Sequence, residues 1–521
     1  MTRQAGRASA PGHLWEAFDR VADERADAPA LIFPDGADSF SGLRDRARRA
    51  AAWLEAQGVG RDGVVAIQLP KRRETYALWL ACLHQGCPYV FMDPRNPPPR
   101  NSRILARLRP RLLATTGETV NPHGSTLRIA TPEEGRRWLD GLPSSSSAPL
   151  PASRHGLDPA YIMFTSGSTG EPKGAVIPHQ GVLSLMRWAR SLLSWSQDVR
   201  FSNINPLHFD NAVFDLYGGL VNGATLVPVE TSLLANPAQW VRRLREGKAN
   251  VVFAVPTLFQ TLDQLRLLKP ENLPEVRVFI FGGEGFPAAP LTDFHARFIR
   301  QARLINVYGP TETSCICSSL EIDEAALMAA GTGFPSLGRM HADFDHMILD
   351  EDEAAVVPGK PGELWIGGAN IGLGYYNDPD ETAGRFRQDP RQSAFRSIWY
   401  RTGDLVREDA AGMLWFMGRA DNQVKIRGHR IELEEIDLAI EAIDGVKRAV
   451  TVAVTVDGGA ELRAAFSAER AVPLEEVRDH CVRCLPPYMQ PAQVAQIDTL
   501  PQNANGKIDR KAVARLLRDA S

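Results

Sequence analysis

Short apolar runs alternate with helical patterns along much of the chain, and this alternation restricts the possible folds more than any other feature. The runs VVAIQL, YVFMD, RLLATT, ATLVPV, VVFAV, VRVFIF and LINVYG have the length of buried strands. Between them lie stretches with the apolar period of a helix, including residues 40–57 and 74–86. Strands that alternate with helices form mostly parallel sheets. The sequence therefore predicts an α/β fold.

The pattern changes towards the C-terminus. Between Ile366 and Gly428 the chain consists of short strands, glycines and charged residues. After Arg419 come a helix (IELEEIDLAIEAI), a strand (AVTVAVTV), a second helix (LEEVRDHCVRCL) and an exposed NANGKIDRKAVARLL. This block of about 100 residues has the size of a separate α+β unit. We therefore predict a large N-terminal domain, residues 1–418, which contains a Pro/Ser-rich linker at 141–153, and a small C-terminal domain, residues 422–521.

Composition excludes several classes of protein. Of the 521 residues, 59 are Lys or Arg and 62 are Asp or Glu, so no basic surface typical of nucleic-acid binding is expected. No apolar run approaches the roughly 18 residues that a membrane helix requires. The N-terminal MTRQAGRASAPGHLWEAF has arginines but no apolar core after them, unlike a secretory signal. We expect a cytoplasmic enzyme that binds neither nucleic acid nor membrane.

The stretch YIMFTSGSTGEPKGA, residues 161–175, predicts a phosphate-binding loop. A short strand runs into four hydroxyls and two glycines, followed by a proline and Lys173. Glycines let backbone N–H groups surround an anion, and hydroxyls and an ammonium group add donors. A flexible Ser/Gly loop would not explain the proline and the lysine, and in a Walker A loop the lysine follows its glycine. The predicted phosphate ligands are Lys173 and the loop residues Thr165, Ser166, Gly167, Ser168, Thr169 and Gly170.

Three further motifs carry groups suited to a nucleotide. NVYGPTETS, residues 306–314, supplies Tyr308 to stack on a base, Thr311 to donate to a phosphate and Glu312 to hold Mg²⁺. YRTGDL contains Asp404, a carboxylate able to bind two ribose hydroxyls. NGKIDRKA places Lys507 on a turn near the C-terminus.

These motifs, in this order, resemble the adenylate-forming superfamily: acyl-CoA synthetases, luciferases and the adenylation domains of nonribosomal peptide synthetases. The resemblance extends over nearly the whole chain and includes LHQGCPYVFMDP, FDNAVFDLYGGLVNGATL, GELWIGGANIGLGYYNDPDETAGRF, GRADNQVKIRG and LPPYMQP. In detail the sequence is most similar to stand-alone amino-acid adenylation enzymes, including the D-alanine–carrier-protein ligases.

The resemblance implies two half-reactions. A substrate carboxylate attacks the α-phosphorus of ATP, which releases pyrophosphate and leaves an acyl-AMP; a thiol then converts the acyl-AMP into a thioester. Lys507 is implied to bridge carboxylate and nucleotide, and Arg419 to bind the ribose together with Asp404. The remaining ATP-binding residues implied by the resemblance are Gly283, Glu284, Asn306, Val307, Tyr308, Gly309 and Pro310.

The second half-reaction needs a different arrangement of the same chain. In the family the small domain is mobile and swings about a hinge, which we place at residues 419–421, including Asp421. This motion withdraws Lys507 and brings the segment from Lys425 to Gly428 to the active site, where Gly428 leaves room for a phosphopantetheine arm. We interpret the downstream part of RGHRIELEEID as a charged, solvated start of a helix.

Asp210 indicates the class of acid that is activated. In PLHFDNAVF it is surrounded by apolar residues, and a buried carboxylate needs a partner. In the family, amino-acid enzymes carry aspartate here to pair with the substrate ammonium. The alternative is that Asp210 caps a helix N-terminus. The implied pocket, with Lys507 at the substrate carboxylate, consists of Asp210, Asn211, Phe214, Phe253, Ile280, Gly282, Val307, Cys315 and Ile316.

These walls are mostly apolar, so the predicted substrate is a small or medium, branched aliphatic amino acid. Asn211 departs from the pattern of such pockets and leaves a β-amino acid as an alternative. The chain ends shortly after Lys507, so the acceptor is expected to be a separate carrier protein or coenzyme A. Further alternatives are an acyl-CoA ligase and a non-catalytic nucleotide-binding relative.

Several local patterns have competing interpretations. FGGEGFPAA mimics a dinucleotide fingerprint through Gly283 and Gly285, but the next strand, LINVY, lacks the acidic residue that binds the ribose. Cys481 and Cys484 have zinc or redox spacing but lie in an apolar-periodic run that predicts an ordinary helix. His208 is interpreted either as a gate at the substrate pocket or as a core histidine.

Overall fold

The computed structural model describes residues 11–143, 155–167, 169–193, 198–456, 459–502 and 508–519. Ser168, Lys507 and most of the Pro/Ser-rich linker lie outside these ranges. The helices are α1 (Leu14–Glu24), α2 (Phe40–Ala56), α3 (Arg73–Gln85), α4 (Pro98–Leu108), α5 (Pro132–Asp140), α6 (His179–Leu192), α7 (Asn211–Val213), α8 (Pro237–Glu246), α9 (Pro256–Gln264), α10 (Ala288–Phe298), α11 (Glu324–Ala330), α12 (Pro379–Arg385), α13 (Leu433–Glu441), α14 (Leu474–Cys484) and α15 (Arg510–Asp519).

The strands follow one another closely along the whole chain. They are β1 (Pro29–Phe33), β2 (Gly36–Ser39), β3 (Val65–Gln68), β4 (Tyr89–Phe91), β5 (Leu112–Thr115), β6 (Ser125–Arg128), β7 (Pro159–Thr165), β8 (Lys173–Pro178), β9 (Arg200–Asn203), β10 (Thr225–Pro228), β11 (Val251–Ala254), β12 (Val278–Gly282), β13 (Arg303–Tyr308), β14 (Ser318–Glu321), β15 (Arg339–Met340), β16 (Asp345–Leu349), β17 (Gly362–Gly367), β18 (Gly374–Tyr375), β19 (Phe386–Gln388), β20 (Ile398–Glu408), β21 (Leu414–Arg419), β22 (Gln423–Ile426), β23 (His429–Glu432), β24 (Val446–Val456), β25 (Gly459–Ala468) and β26 (Gln493–Gln496).

Two large sheets form most of the N-terminal part, and the predicted strands make up their parallel centres. One sheet has the order β15-β14-β13-β12-β11-β9-β10-β1-β2 and is parallel from β13 to β1. The other has the order β18-β8-β7-β4-β3-β5-β6 and is parallel from β7 to β6. The predicted α/β class with mostly parallel sheets is confirmed.

Helix α3 and a π-helix at Phe214–Gly219 lie between these sheets and join them into one core. Every residue of α3 from Glu74 to Gln85 is buried, as expected for a helix covered on all sides. The indole of Trp79 donates to the hydroxyl of Tyr217, which also hydrogen-bonds Tyr89 of β4 at 2.9 Å. This packing fixes the segment that carries Asp210, because α7 runs directly into the π-helix.

The C-terminal part follows a third, antiparallel sheet, β16-β17-β20-β19, with β21 beside β20. Beyond it lie the hairpin β22–β23 and the sheet β24-β25-β26, which packs with α13, α14 and α15. This arrangement confirms a small C-terminal domain next to a large one. Among the described residues no helix is both long enough and apolar enough to cross a bilayer.

One interpretation of the C-terminal part is wrong. The start of α13 was expected to be solvated, but Glu435 and Asp437 are buried. The carboxylate of Glu435 pairs with Arg100 on α4 of the large domain, and that of Asp437 pairs with Arg510 on α15 at 2.6 Å. The first turn is charged because it holds ion pairs within and between the two parts of the chain. Residues 431–432, predicted as helix, belong to β23.

Candidate active site

A cavity of about 80 Å³ lies where loops at the carboxyl ends of the parallel strands meet the hairpin β22–β23. Open α/β sheets bind their ligands at this edge. Fifteen of the residues predicted for the site line it. They are Thr165, Ser166, Asp210, Asn211, Phe253, Gly283, Val307, Gly309, Pro310, Thr311, Cys315, Asp404, Arg419, Lys425 and Gly428.

A second, largely apolar cavity of about 570 Å³ adjoins the first and shares Gly283, Asp404 and Lys425 with it. The residues predicted beside the adenine and ribose line it: Glu284, Asn306, Val307, Tyr308, Arg419 and Asp421. Its volume lies within the range of about 300–1,000 Å³ that is typical of ligand sites.

Part of the predicted amino-acid pocket does not line the cavity. Phe214, Ile280 and Gly282 are buried and do not line it, whereas Phe253 and Val307, the strand neighbours of Ile280 and Gly282, do. The Phe214 and Phe253 rings meet edge to face at 5.5 Å. Ile316 lines a separate cavity next to Trp188 and His341.

Asp210 lies on the cavity wall, next to α7. Its side chain makes no capping hydrogen bond to this helix, so the helix-cap interpretation is wrong. Its Oδ2 instead accepts a 2.6 Å hydrogen bond from the hydroxyl of Thr311, the group predicted to donate to a phosphate. Burial raises the pKa of Asp210, against the lowering effects of the Thr311 hydrogen bond and the charge of Lys425. An ammonium group in the cavity would supply the counter-charge that this carboxylate lacks.

The predicted phosphate loop joins β7 to β8. The Thr165 hydroxyl is buried at the cavity and has no hydrogen-bond partner among the described residues, which leaves a donor available to an anion. The Ser166 hydroxyl donates to the carbonyl of Arg430 at 2.9 Å and accepts from the Glu432 N–H at 3.1 Å. Lys173, the first residue of β8, is buried, and its Nζ lies 2.9 Å from a carboxylate oxygen of Glu381.

Gly167 and Gly170 shape the turn of this loop, which also contains Thr169. A side chain at Gly167 would bring its Cβ within 2.0 Å of the Glu171 carbonyl oxygen. Gly170 has a φ of +80°, a value that favours glycine. The loop therefore needs glycine at both places, as predicted.

Glu312 is fully buried and is held by a cation of the C-terminal part. Both carboxylate oxygens lie 3.0 Å from Nη1 of Arg430, and Tyr375 donates a third hydrogen bond at 2.6 Å. Burial would raise the pKa of Glu312, but the charges of Arg430 and Lys173 lower it to about 2. The group predicted to bind Mg²⁺ is therefore an ionised carboxylate.

The predicted ribose ligands form one network. The Tyr308 hydroxyl donates to Asp404 at 2.5 Å, so this ring is anchored at the edge of the second cavity. Arg419 donates to the other oxygen of Asp404 at 2.5 Å and also to Asp421. Burial opposes ionisation of Asp421, but the charge and hydrogen bonds of Arg419 lower its pKa to about 2. Asp404 and Arg419 are thus held side by side, as the ribose assignment requires.

The segment from Lys425 to Gly428 is present at the cavity. The ammonium of Lys425 lies 5.7 Å from the centre of the Tyr308 ring, and burial lowers the pKa of this lysine. Gly428 has a φ of +77°, and its N–H donates to Glu284 at 3.2 Å. The structure therefore places this segment at the cavity.

The sequence did not indicate the role of Arg430, Glu432 or Tyr488 at the site. The register of the hairpin pairs Lys425 with Arg430, so both belong to one cross-strand pair. Recognition of this hairpin in KIRGHRIE would have indicated that Arg430 accompanies Lys425. Tyr488 comes from LPPYMQP and stacks on His429 at 3.8 Å beside the cavity.

The structure also locates the residues for which the sequence left two interpretations open. His208 lines the cavity, and its Nε2 lies 3.2 Å from Asp93, which is consistent with a residue at the pocket rather than in the core. Cys481 packs in the core of the small domain, and the described residues contain no cluster of three metal-ligating side chains. Glu284, in the dinucleotide-like FGGEGF, accepts from the Thr257 N–H at 2.8 Å.

The chain belongs to the AMP-binding enzyme family. The family pattern matches residues 18–376, well over half of the chain. Among curated relatives, tyrocidine synthase 3 of Brevibacillus parabrevis is 34% identical over 96% of this chain, and a dimodular nonribosomal peptide synthase of Bacillus subtilis is 34% identical over 96%. The chain spans only 8% and 21% of the length of these two proteins.

Solved structures share the whole fold. IdnL1 has a TM-score of 0.80 and 28% identity, and the match covers 95% of this chain and 100% of IdnL1. PA1221, a nonribosomal peptide synthetase protein containing adenylation and PCP domains, has a TM-score of 0.81 and 25% identity, and the match covers 98% of each chain. Membership of the adenylate-forming superfamily and the two-domain architecture are thereby confirmed.

Proposed function

We propose that this protein activates a small or medium, branched aliphatic amino acid with ATP and transfers the aminoacyl group to the phosphopantetheine thiol of a separate carrier protein. One observation carries the proposal: a buried carboxylate, Asp210, lies in a small cavity that adjoins the nucleotide cavity. Its unmet need for a cation favours a substrate with an amine. The similarity to peptide synthases, and to a protein with adenylation and PCP domains, supports the amino acid and the carrier.

In the first half-reaction the protein positions two anions and neutralises their charge. The phosphate loop, Lys173 and the unpartnered Thr165 hydroxyl are suited to the triphosphate. Asp404 and Arg419 hold the ribose, and Lys507 bridges the substrate carboxylate and the nucleotide. No side chain acts as a covalent nucleophile. We propose residues 419–421 as the hinge that brings Lys507 to and from the site.

The site fits a magnesium ion that accompanies ATP. Glu312 is a single, buried, ionised carboxylate near the phosphate loop, and Mg²⁺ is commonly bound by one or two carboxylates together with substrate phosphates. When bound, Mg²⁺ would neutralise charge on the phosphate oxygens. The role of Glu312 is to hold that ion.

In the second half-reaction the carrier thiol attacks the carbonyl carbon of the aminoacyl-AMP, the thioester bond forms and AMP leaves. The present arrangement, with Lys425 and Gly428 at the cavity, is suited to this step. Glycine at 428 lets this backbone pack closely against Val255, since a Cβ would lie 2.5 Å from Cγ1 of Val255.

The test of this function is ATP–pyrophosphate exchange over a panel of α-amino acids, β-amino acids and plain carboxylic acids. We expect exchange with one small aliphatic amino acid and a loss of at least about tenfold in Lys507→Ala, because the group that brings two anions together is removed. Exchange only with acids that lack an amine would contradict the proposal and indicate an acyl-CoA ligase.

A β-amino acid is the second candidate, and Asn211 is the observation that favours it. Asn211 follows Asp210 and lines the cavity, and its amide nitrogen lies 3.9 Å from the position of a Cβ at Gly283. A polar group there would hydrogen-bond a substrate whose amine is displaced by one carbon. Faster pyrophosphate exchange with a β-amino acid than with the α-amino acid of the same side chain would favour this second candidate.

The raised pKa of Asp210 predicts a pH dependence of substrate binding. The ammonium pairs with the ionised carboxylate, so kcat/KM for the amino acid should fall as pH drops through the raised pKa of Asp210. The Thr311 hydrogen bond lowers the pKa of Asp210. Thr311→Val removes this bond, so the decline in kcat/KM should occur at higher pH. A pH profile of pyrophosphate exchange, with Thr311→Ser as the control that keeps the hydroxyl, measures the shift. Superimposable profiles for the wild type and Thr311→Val would disprove the link.

A further inference from the structure

His208 is a titratable residue at the first cavity to which the proposed function gives no role. Its imidazole lines the cavity together with Asp210 and Gly428. One ring nitrogen, Nε2, lies 3.2 Å from a carboxylate oxygen of Asp93, whose side chain is 4% exposed. The other, Nδ1, makes no hydrogen bond to the part of the chain that the structure describes. An imidazole with one nitrogen beside a carboxylate and the other unengaged can accept a proton from a ligand.

Asp93 is an ionised carboxylate beside this histidine. It lies two residues after β4, and Arg95 donates to both of its oxygens at 3.1 Å. Burial would raise the pKa of Asp93, but the charges of and hydrogen bonds from His208 and Arg95 hold this pKa well below its usual range. An ionised carboxylate in this place stabilises the imidazolium that forms when His208 takes up a proton.

Formation of the thioester releases one proton, for which the proposed function names no acceptor. The thiol must lose this proton, because the thiolate is the nucleophile. In an α-aminoacyl-AMP the carbonyl carbon lies two bonds from the amine that Asp210 is proposed to bind. The attack therefore takes place in the same small cavity that His208 lines.

The other titratable and charged groups around His208 are less suited to accept the proton. They are Asp93 and Arg95 after β4, Arg427 and His429 of the hairpin β22–β23, and Asp210 and Lys425 at the cavity. Burial lowers the pKa of His429 to about 3, so its imidazole is a weak base. Asp210 is assigned to the substrate ammonium. The Lys425 ammonium lies 5.7 Å from the centre of the Tyr308 ring, a contact that favours its protonated form.

We propose that His208, with Asp93 as its partner, is the base that accepts the proton of the phosphopantetheine thiol in the second half-reaction. The inference rests on the proposed function, because that function supplies the thiol and the acyl-AMP. The S–H proton passes to Nδ1 of His208, and the sulfur electron pair forms the bond to the carbonyl carbon. The bond from this carbon to the AMP phosphate oxygen breaks, and AMP leaves with that electron pair. The imidazolium then gives its proton to water.

The test is single-turnover transfer from a preformed acyl-AMP to free pantetheine across a pH series, with pyrophosphate exchange measured in parallel. The acyl group is that of whichever acid in the exchange panel is activated. At a pH of about 7, His208→Gln should slow transfer by about 10²-fold, a loss typical of a missing general base. Exchange involves no thiol and should fall by a much smaller factor. Asp93→Asn keeps the shape but not the charge, and it should slow transfer by about tenfold.

The pH series distinguishes a base from a residue that only supports the fold. Above the pKa of the pantetheine thiol, titrated with the free compound, the solution itself supplies thiolate. The deficit of His208→Gln relative to the wild type should therefore shrink there to less than about threefold. His123→Gln is the matched control, because His123 is an exposed histidine that precedes β6. It should transfer within about twofold of the wild-type rate at every pH.

The outcomes separate the inference from the function on which it rests. A transfer deficit of constant size across the pH series, or an equal loss of exchange and transfer, would overturn the inference. Transfer by His208→Gln at the wild-type rate would also overturn it. Activation only of acids that lack an amine would overturn the proposed function. With such an acid, a deficit of His208→Gln that shrinks as pH rises would still support His208 as the base.

Discussion

Asp210→Ala is expected to lower pyrophosphate exchange with the amino-acid substrate by about 10²–10³-fold. Removing one partner of a buried ion pair costs about 3–5 kcal/mol, because the substrate ammonium is left unpaired in the cavity. Asp210 lies on the cavity wall, and burial raises its pKa against the lowering effects of the Thr311 hydrogen bond and the charge of Lys425. The loss should appear chiefly in kcat/KM, since ammonium recognition is part of binding in both ground and transition states.

Two controls make this result specific. Asp293→Ala removes an exposed carboxylate of the same type on α10 and should leave exchange within about twofold. The carboxylic acid that corresponds to the substrate without its amine should be a better substrate for Asp210→Ala than for the wild type. Retention of amino-acid exchange by Asp210→Ala would show that the amine is recognised elsewhere.

Gly428→Ala is expected to reduce transfer to the acceptor by about 10²-fold while leaving pyrophosphate exchange within about twofold. A Cβ at this position would lie 2.5 Å from Cγ1 of Val255, and the φ of +77° is unfavourable for alanine. Both effects oppose the arrangement in which the hairpin faces the cavity. In the proposed function adenylation uses the arrangement that presents Lys507, so exchange should continue.

Single-turnover transfer from a preformed aminoacyl-AMP measures this effect directly. Gly359→Ala is the matched control, because Gly359 has a similar φ of +86° and no neighbour within 4 Å of a Cβ. It tests backbone strain without a clash at the cavity. Equal slowing of exchange and transfer in Gly428→Ala would contradict the assignment, because it would indicate general loss of the fold.

The sequence was sufficient for the fold and for the grouping of many candidate site residues around one pair of cavities. The strands were predictable because buried strands of parallel sheets are continuous apolar runs, and VVFAV and VRVFIF became β11 and β12. The phosphate loop was predictable because its glycines and hydroxyls are contiguous. Asp404 and Arg419 were predictable from their motifs, and the structure brings them together.

The contacts between the two domains were not predictable. Arg430 and Glu312 are 118 residues apart, and no local pattern indicates that they meet. The sequence also could not show which apolar residues line the cavity: it marks both Phe214 and Phe253 as apolar, but only the structure shows that Phe253 lines the cavity and Phe214 does not.

If the small domain swings about the proposed hinge, the ion pair between Arg100 and Glu435 makes the balance between domain arrangements sensitive to temperature. Both side chains are almost completely buried where α4 meets α13, and a rotation that separates the helices returns both charges to water. Hydration of charged groups becomes less favourable on warming, so the penalty for keeping this pair out of water falls. The packed arrangement should therefore gain population as temperature rises, and small-angle scattering over a temperature series would reveal a decreasing radius of gyration.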